Sequence, residues 1–142
     1  MPSTYSTSLK LELIATGEQP GTWGNTTNSN LGTLLEQAIV GVQTIAMSDS
    51  TYTLSNLNGV TDEARNAVIL VTGPNLAVRA VVAPLVPKEY VVVNNTTGGF
   101  AITFGASTGV VVTIGNGIVK SVYCDGVNGF YDQLPLINGG TF

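Results

Sequence analysis

With 142 residues, a formal net charge of −4 and a sequence pI near 4.4, the chain is long enough to bury a core of its own and too acidic for a phosphate-backbone partner. Charged residues are only 10 % of it, hydrophobic residues are 44 %, and histidine is absent. Soluble domains carry about 25 % charge, so a surface this sparing in ionised groups is expected to be completed by other chains, as obligate interfaces are.

Residues 1–8 are polar, show no basic segment followed by an apolar one, and read as an arm rather than a secretory signal. Leu9, Leu11 and Leu13 alternate with Lys10 and Glu12, which predicts a half-buried strand. Residues 16–30 follow as a loop, with Pro20-Gly21 as a turn and the single tryptophan, Trp23, between Gly21 and Gly24. Trp23 fits either an anchor in a partner's pocket or a lid over the domain's own core. The period then changes. Leu31, Leu34, Leu35, Ala38, Ile39 and Val42 make one apolar stripe, which predicts a helix over 31–42. The stripe packs either on the chain's own sheet or on symmetry mates.

From residue 43 onward the pattern is β. Residues 43–47 and 51–54 read as short strands, and Ala67-Val68-Ile69-Leu70-Val71 is an unbroken apolar run suited to a strand covered on both faces. Between them, residues 62–65 form the one local cluster of charge, read as a solvated turn. A strand over 76–83 precedes Pro84 and Pro87. From Lys88 to Asp132, β-branched and aromatic runs are separated at even spacing by Gly- and Asn-rich clusters, the pattern of antiparallel hairpins. The lone Cys124 sits in one of these runs as a small buried residue. Residues 135–142 are apolar but broken by Pro135, Gly139 and Gly140, and are expected to dock on a neighbouring element or subunit.

The fold class expected is therefore mainly β: an antiparallel β-sandwich or barrel-like domain with one short N-terminal helix. A single domain spans 1–142, with an N-terminal arm, strand and Trp loop over 1–30, the helix over 31–42, the β-domain over 43–134 and the tail over 135–142. No apolar run approaches the length of a membrane span. No catalytic, cofactor-binding or metal-binding residues are assigned. Without histidine, acid–base work falls to carboxylates, and Asp62-Glu63, the one adjacent pair, would point to opposite faces of a strand. Zinc-type Cys/His spacing and phosphate-cradling loops are missing. The residues expected at a partner interface are Leu9, Leu11, Leu13, Trp23, Leu31, Leu34, Leu35 and Phe142.

The stretch LKLELIATGEQPGTWG over 9–24, then NSNLGTLLEQAI over 28–39, resembles the opening of tailed-bacteriophage virion proteins identified as fibre, tail or head-decoration proteins. Asn94 to Phe100 and Tyr123-Cys124-Asp125-Gly126 are similar to the same group. The resemblance implies a β-rich, non-enzymatic structural protein that assembles as a homotrimer and contacts other virion proteins of capsid, neck or tail. It fits a short fibre, an adaptor or a capsid-decoration (cement) protein attached through the N-terminal region. The expected location is the virion, assembled in the host cytoplasm, with no nucleic-acid partner, no membrane insertion and no cofactor. The alternative is a receptor-recognition module that binds host surface glycans through exposed Tyr and Trp rings; a carboxylate-dependent depolymerase is a third reading.

Overall fold

The computed structural model describes residues 2–134; the apolar tail over 135–142, with Phe142, lies outside the described residues. The protein is mainly β. The first strands, β1 (Thr4–Tyr5) and β2 (Glu12–Leu13), pair antiparallel as a small separate hairpin. A helical stretch follows: α1 (Trp23–Ser29), a π-helical turn (Asn30–Leu35) and α2 (Glu36–Val40). Among the described residues nine further strands follow: β3 (Val42–Ala46), β4 (Tyr52–Thr53), β5 (Val68–Thr72), β6 (Arg79–Val82), β7 (Lys88–Asn94), β8 (Ile102–Gly105), β9 (Val111–Ile114), β10 (Val119–Cys124) and β11 (Phe130–Asp132).

These nine form a five-stranded sheet in the order β11-β10-β7-β5-β3 and a four-stranded sheet in the order β4-β6-β8-β9. From β3 to β8 the chain alternates between the two sheets, so each strand pairs in parallel with the strand two places along: β3 with β5 with β7, and β4 with β6 with β8. Only the later pairings, β8 with β9 and β10 with β7 and β11, are antiparallel. The sheets are therefore mixed, and the expectation of antiparallel pairing throughout is corrected for the middle of the chain. No barrel closes among the described residues.

The corners between sheets explain the coiling. The turns after β3, β5 and β7 stack on one another: Asp49 N donates to Pro74 O at 3.0 Å and Thr97 N donates to Gly73 O at 2.9 Å. Stacking this close leaves no room for side chains. A Cβ on Gly98 would lie 1.5 Å from the backbone oxygen of Asn75, and Gly73 adopts φ +88° with its α-carbon against the Met47 backbone. Asn75 and Asn94 are wholly buried at these corners. The Asn94 Nδ2 donates to Ile114 O at 3.0 Å and to Phe100 O at 3.2 Å, while its Oδ1 accepts from Thr96 Oγ1 at 2.7 Å. Buried amides thus satisfy backbone groups that the turns leave without ladder partners.

One cluster of buried side chains draws on both sheets. Its centre is aromatic: the Tyr90 and Phe104 rings lie 5.2 Å apart at 67°, and Phe104 and Phe130 lie 5.5 Å apart at 86°, both edge-to-face. Tyr90 keeps its hydroxyl satisfied by donating to Ala64 O at 2.7 Å. Cys124 belongs to this cluster, and desolvation raises its thiol pKa.

Three further expectations need correcting. The helical stretch begins at Trp23, eight residues before Leu31, so the expected Trp loop is largely α1. Leu9, Leu11 and Leu13 do not share one strand. Lys10 has φ +54° and its N–H donates to Ser6 O at 3.1 Å, so a turn interrupts the alternation and only Glu12–Leu13 is strand. The charge cluster over 62–65 is not solvated: Asp62, Ala64 and Arg65 are buried. The Asp62–Arg65 ion pair at 3.5 Å is enclosed, and Arg65 donates to the carbonyls of Leu9, Leu57 and Val60. Five donors in a rigid fork let one arginine hold the hairpin to the loop after β4.

Candidate functional site

Side chains along a strand alternate between faces. In the five-stranded sheet Ile45, Ile69, Val71, Tyr90, Val92 and Val122 point into the core, each no more than 2 % exposed. The residues between them point outward. Register places Val42 beside Val68 and Val68 beside Val91 in one row, and Thr44, Leu70, Val93 and Val119 in the next. Val68, Leu70, Val91 and Val93 are half-buried, while Val42 is 64 % and Val119 58 % exposed. The two rows contain no charged residue. On the outer side of the four-stranded sheet one row, Ala80, Thr103 and Thr113, is small or polar, and the next, Thr53, Val82, Gly105 and Val111, carries two valines. The five-stranded sheet presents the more apolar of the two outer faces.

The helical stretch continues this apolar character. Of its residues only Leu34 is buried, at 1 % exposed; Leu35 is half-buried, and Trp23, Leu31, Ile39 and Val40 are between 59 and 67 % exposed. Ala38 and Ile39 border, with Ala67, Val91, Ser121, Glu89 and Gln133, a shallow cleft of about 320 Å³ against the outer sheet face. The apolar stripe thus stays largely outside the chain's own core. Its position is fixed from the N-terminal side. The Asn30 amide accepts from Glu12 N at 3.1 Å and donates to Glu12 O at 2.8 Å, binding the start of the π turn to β2 as a neighbouring strand would. Gln19 donates to Glu12 Oε1 at 2.6 Å and accepts from Thr26 Oγ1, joining hairpin and α1.

Of the residues expected at an interface, Trp23 and Leu31 lie exposed on the helical stretch, Leu34 is buried and Leu35 half-buried. Leu13 is 50 % exposed on β2, and Leu9 and Leu11 are half-buried around the hairpin turn. The outer valines of β3, β5, β7 and β10 were not among the expected residues. For β5 the signal is the apolar run over 67–71, whose outward Val68 and Leu70 are half-buried.

Charged groups are mostly spent internally. Arg79 pairs with Asp49 at 2.9 Å, which holds the carboxyl below its usual range, and Lys120 pairs with Asp132 at 2.9 Å. Asp125 accepts from the N–H groups of Val127, Asn128 and Gly129, and these bonds hold its carboxyl far below the ordinary value while closing the β10–β11 turn. Lys88 lies over the Tyr90 ring at 3.9 Å and donates to Asn66 O and Glu89 O; burial pushes its ammonium down to about 8. Among the described residues no group of three or more His, Cys, Asp and Glu converges to hold a metal ion, and no helix is long and apolar enough to cross a membrane. Comparison with protein families, with curated proteins and with solved structures finds no match to this chain.

Proposed function

We propose that this chain is a non-enzymatic structural component of a bacteriophage particle, a homotrimeric fibre-type or capsid-decoration protein attached through its N-terminal region. Its two sheets serve as the layers of a sandwich, and its work is burial of surface. The observation that carries the reading is the pair of uncharged, valine-rich rows on the outer face of the five-stranded sheet. Five strands at about 4.8 Å spacing and four residues at about 3.3 Å give that face about 24 by 13 Å, or about 300 Å². Stable interfaces need about 800 Å² per partner. The exposed apolar residues of the helical stretch are then needed as well, and they adjoin the face at Ile39. The likeness of residues 9–39 to the opening of phage virion proteins supports the same reading.

Light scattering on the purified protein tests it. The expected mass is three times the chain mass of 14.7 kDa, or a multiple of that trimer. Val93→Lys, at the centre of the face, is expected to yield monomers with an unchanged circular dichroism spectrum. A wild-type monomer at millimolar concentration would defeat the proposal.

A second reading rests on a separate observation. Tyr123, 39 % exposed, and Tyr131 lie with ring centroids 5.5 Å apart and planes 30° from parallel, and Glu89 is the strand partner of Tyr123. Paired rings beside a carboxylate suit stacking and hydrogen bonding of a hexose from a host glycan. A glycan array on which wild-type protein gives signals that Tyr123→Ala loses supports this role; an array without signals removes it.

A further inference from the structure

The two ends of the strand stack are built differently. At the far end, β9 and β11 are the outermost strands of the two sheets, and they are stitched together: Val110 N donates to Asn128 O at 2.9 Å and Phe130 N donates to Val110 O at 2.8 Å. At the near end β3 and β4 are the outermost strands, and among the described residues neither has a second strand beside it. The direction of the free groups on β3 follows from the ladder. Val68 N donates to Gly41 O and Met47 N to Thr72 O, so alternate residues from Gly41 face β5. The N–H and C=O groups of Val42, Thr44 and Ala46 then point to the open edge. All three residues are exposed.

Natural edge strands are protected by charge, proline, a bulge or a cover. β3, with the sequence VQTIA, has neither charge nor proline, and it runs in unbroken register with β5. Its edge has one added bond, from Gln43 Nε2 to Thr44 O at 3.0 Å.

We infer that β3 is an assembly edge that takes the β3 strand of a second copy in antiparallel pairing centred on Thr44. The choice of a second copy rests on complementarity and symmetry. Pairing about Thr44 sets Val42 opposite Ala46 and Gln43 opposite Ile45, and the paired strands themselves carry no charge. It exchanges about six backbone hydrogen bonds through residue pairs whose groups already face outward. A two-fold axis normal to the sheets reverses strand direction but keeps each sheet on its own side. The contact is confined to β3, because the outer side of the β4 edge is occupied at Ser55, where Ala64 N donates to Ser55 O at 3.0 Å and Ser55 N donates to Glu63 Oε2 at 2.9 Å. A single strand pair is small beside a standard interface, so the association is reversible and concentration-dependent.

The contact uses the edge of the sheet, not its outer face, and is read separately from the trimer. Sedimentation velocity from micromolar to near-millimolar concentration is expected to show the wild-type mass doubling. Thr44→Lys, which sets two ammonium groups directly opposite each other, is expected to stay at half the wild-type limiting mass, and Thr44→Val to follow wild type. In parallel, the amides of Val42, Thr44 and Ala46 are expected to gain at least tenfold hydrogen-exchange protection on concentration, while β11 amides do not change. Equal masses for wild type and Thr44→Lys at every concentration overturn the inference, as does edge protection that ignores concentration. If Val93→Lys leaves the mass alone while Thr44→Lys halves it, the trimer fails and the edge contact stands.

Discussion

Lys88 shows how one buried charge sets a pH response in a protein without histidine. Among the described residues its ammonium donates to no carboxylate; it donates to two carbonyls and lies over the Tyr90 ring, and burial lowers its pKa from 10.5 to about 8. A base with a depressed folded-state pKa leaves the unfolded chain holding more protons between the two values, so stability rises with pH in that window. The gain starts near pH 8 and would be complete above 10.5. It is opposed from pH 9 upward, because burial raises the Cys124 thiol and the Tyr90 hydroxyl above their ordinary values of 9.0 and 10.0. Urea denaturation is therefore expected to show stability increasing between pH 8 and 9 in wild type, and a flat response there in Lys88→Met. A wild-type curve that falls across that unit contradicts this assignment.

At the level of elements, the corners carry more information than the strands. Gly98 has an ordinary negative-side backbone, yet a methyl group there would overlap the Asn75 carbonyl of the turn below. Gly98→Ala is expected to cost about 2–3 kcal/mol or more, since overpacking is relieved only by parting the stacked turns. Gly99→Ala is not its equal: Gly99 has open space around it but φ +83°, so its cost is backbone strain alone. A loss under about 1 kcal/mol for Gly98→Ala, measured by denaturant titration, would show that the turns are not in contact. These corners also mark the limit of sequence reading. The apolar runs between Lys88 and Asp132 could be located because alternation and Gly/Asn punctuation are local signals. Their partners could not, because residues 94–99 look like a hairpin turn whether the chain returns to the same sheet or crosses to the other. The buried Asn94, which bonds carbonyls from two other segments, is the residue that distinguishes the cases. The helix was legible from its stripe but not its start, because Gly24, Asn25 and Asn28 are poor helix formers held in α1 by the Gln19–Thr26 and Asn30–Glu12 bonds. The burial of Arg65 is not legible for a similar reason: its three carbonyl partners come from loops that sequence pattern does not bring together.

For the whole molecule, a low content of charge and an exposed apolar sheet face belong to one account. Ion pairs such as Arg79–Asp49 and Lys120–Asp132 are drawn from few charges, and the outer face of the five-stranded sheet receives none in its two valine rows. The assembly proposed through that face would be hydrophobic in origin, so raising salt from 50 mM to 1 M is expected to leave the oligomer mass unchanged or to strengthen association. Dissociation by salt, seen in the same light-scattering measurement, would point to charged contacts elsewhere.

The crossing path from β3 to β8 has a consequence for synthesis. Adjacent strands in each sheet come from stretches separated by about two dozen residues, so no strand can find its neighbour until the next circuit of chain has been made. On a ribosome, Val42 to Ala46 would emerge with its backbone unpaired and wait for Val68 to Thr72 to clear the exit tunnel. During that interval the nascent chain offers an uncharged strand with both edges bare, and a trigger-type holdase or a crowded polysome meets it before its own second coil does.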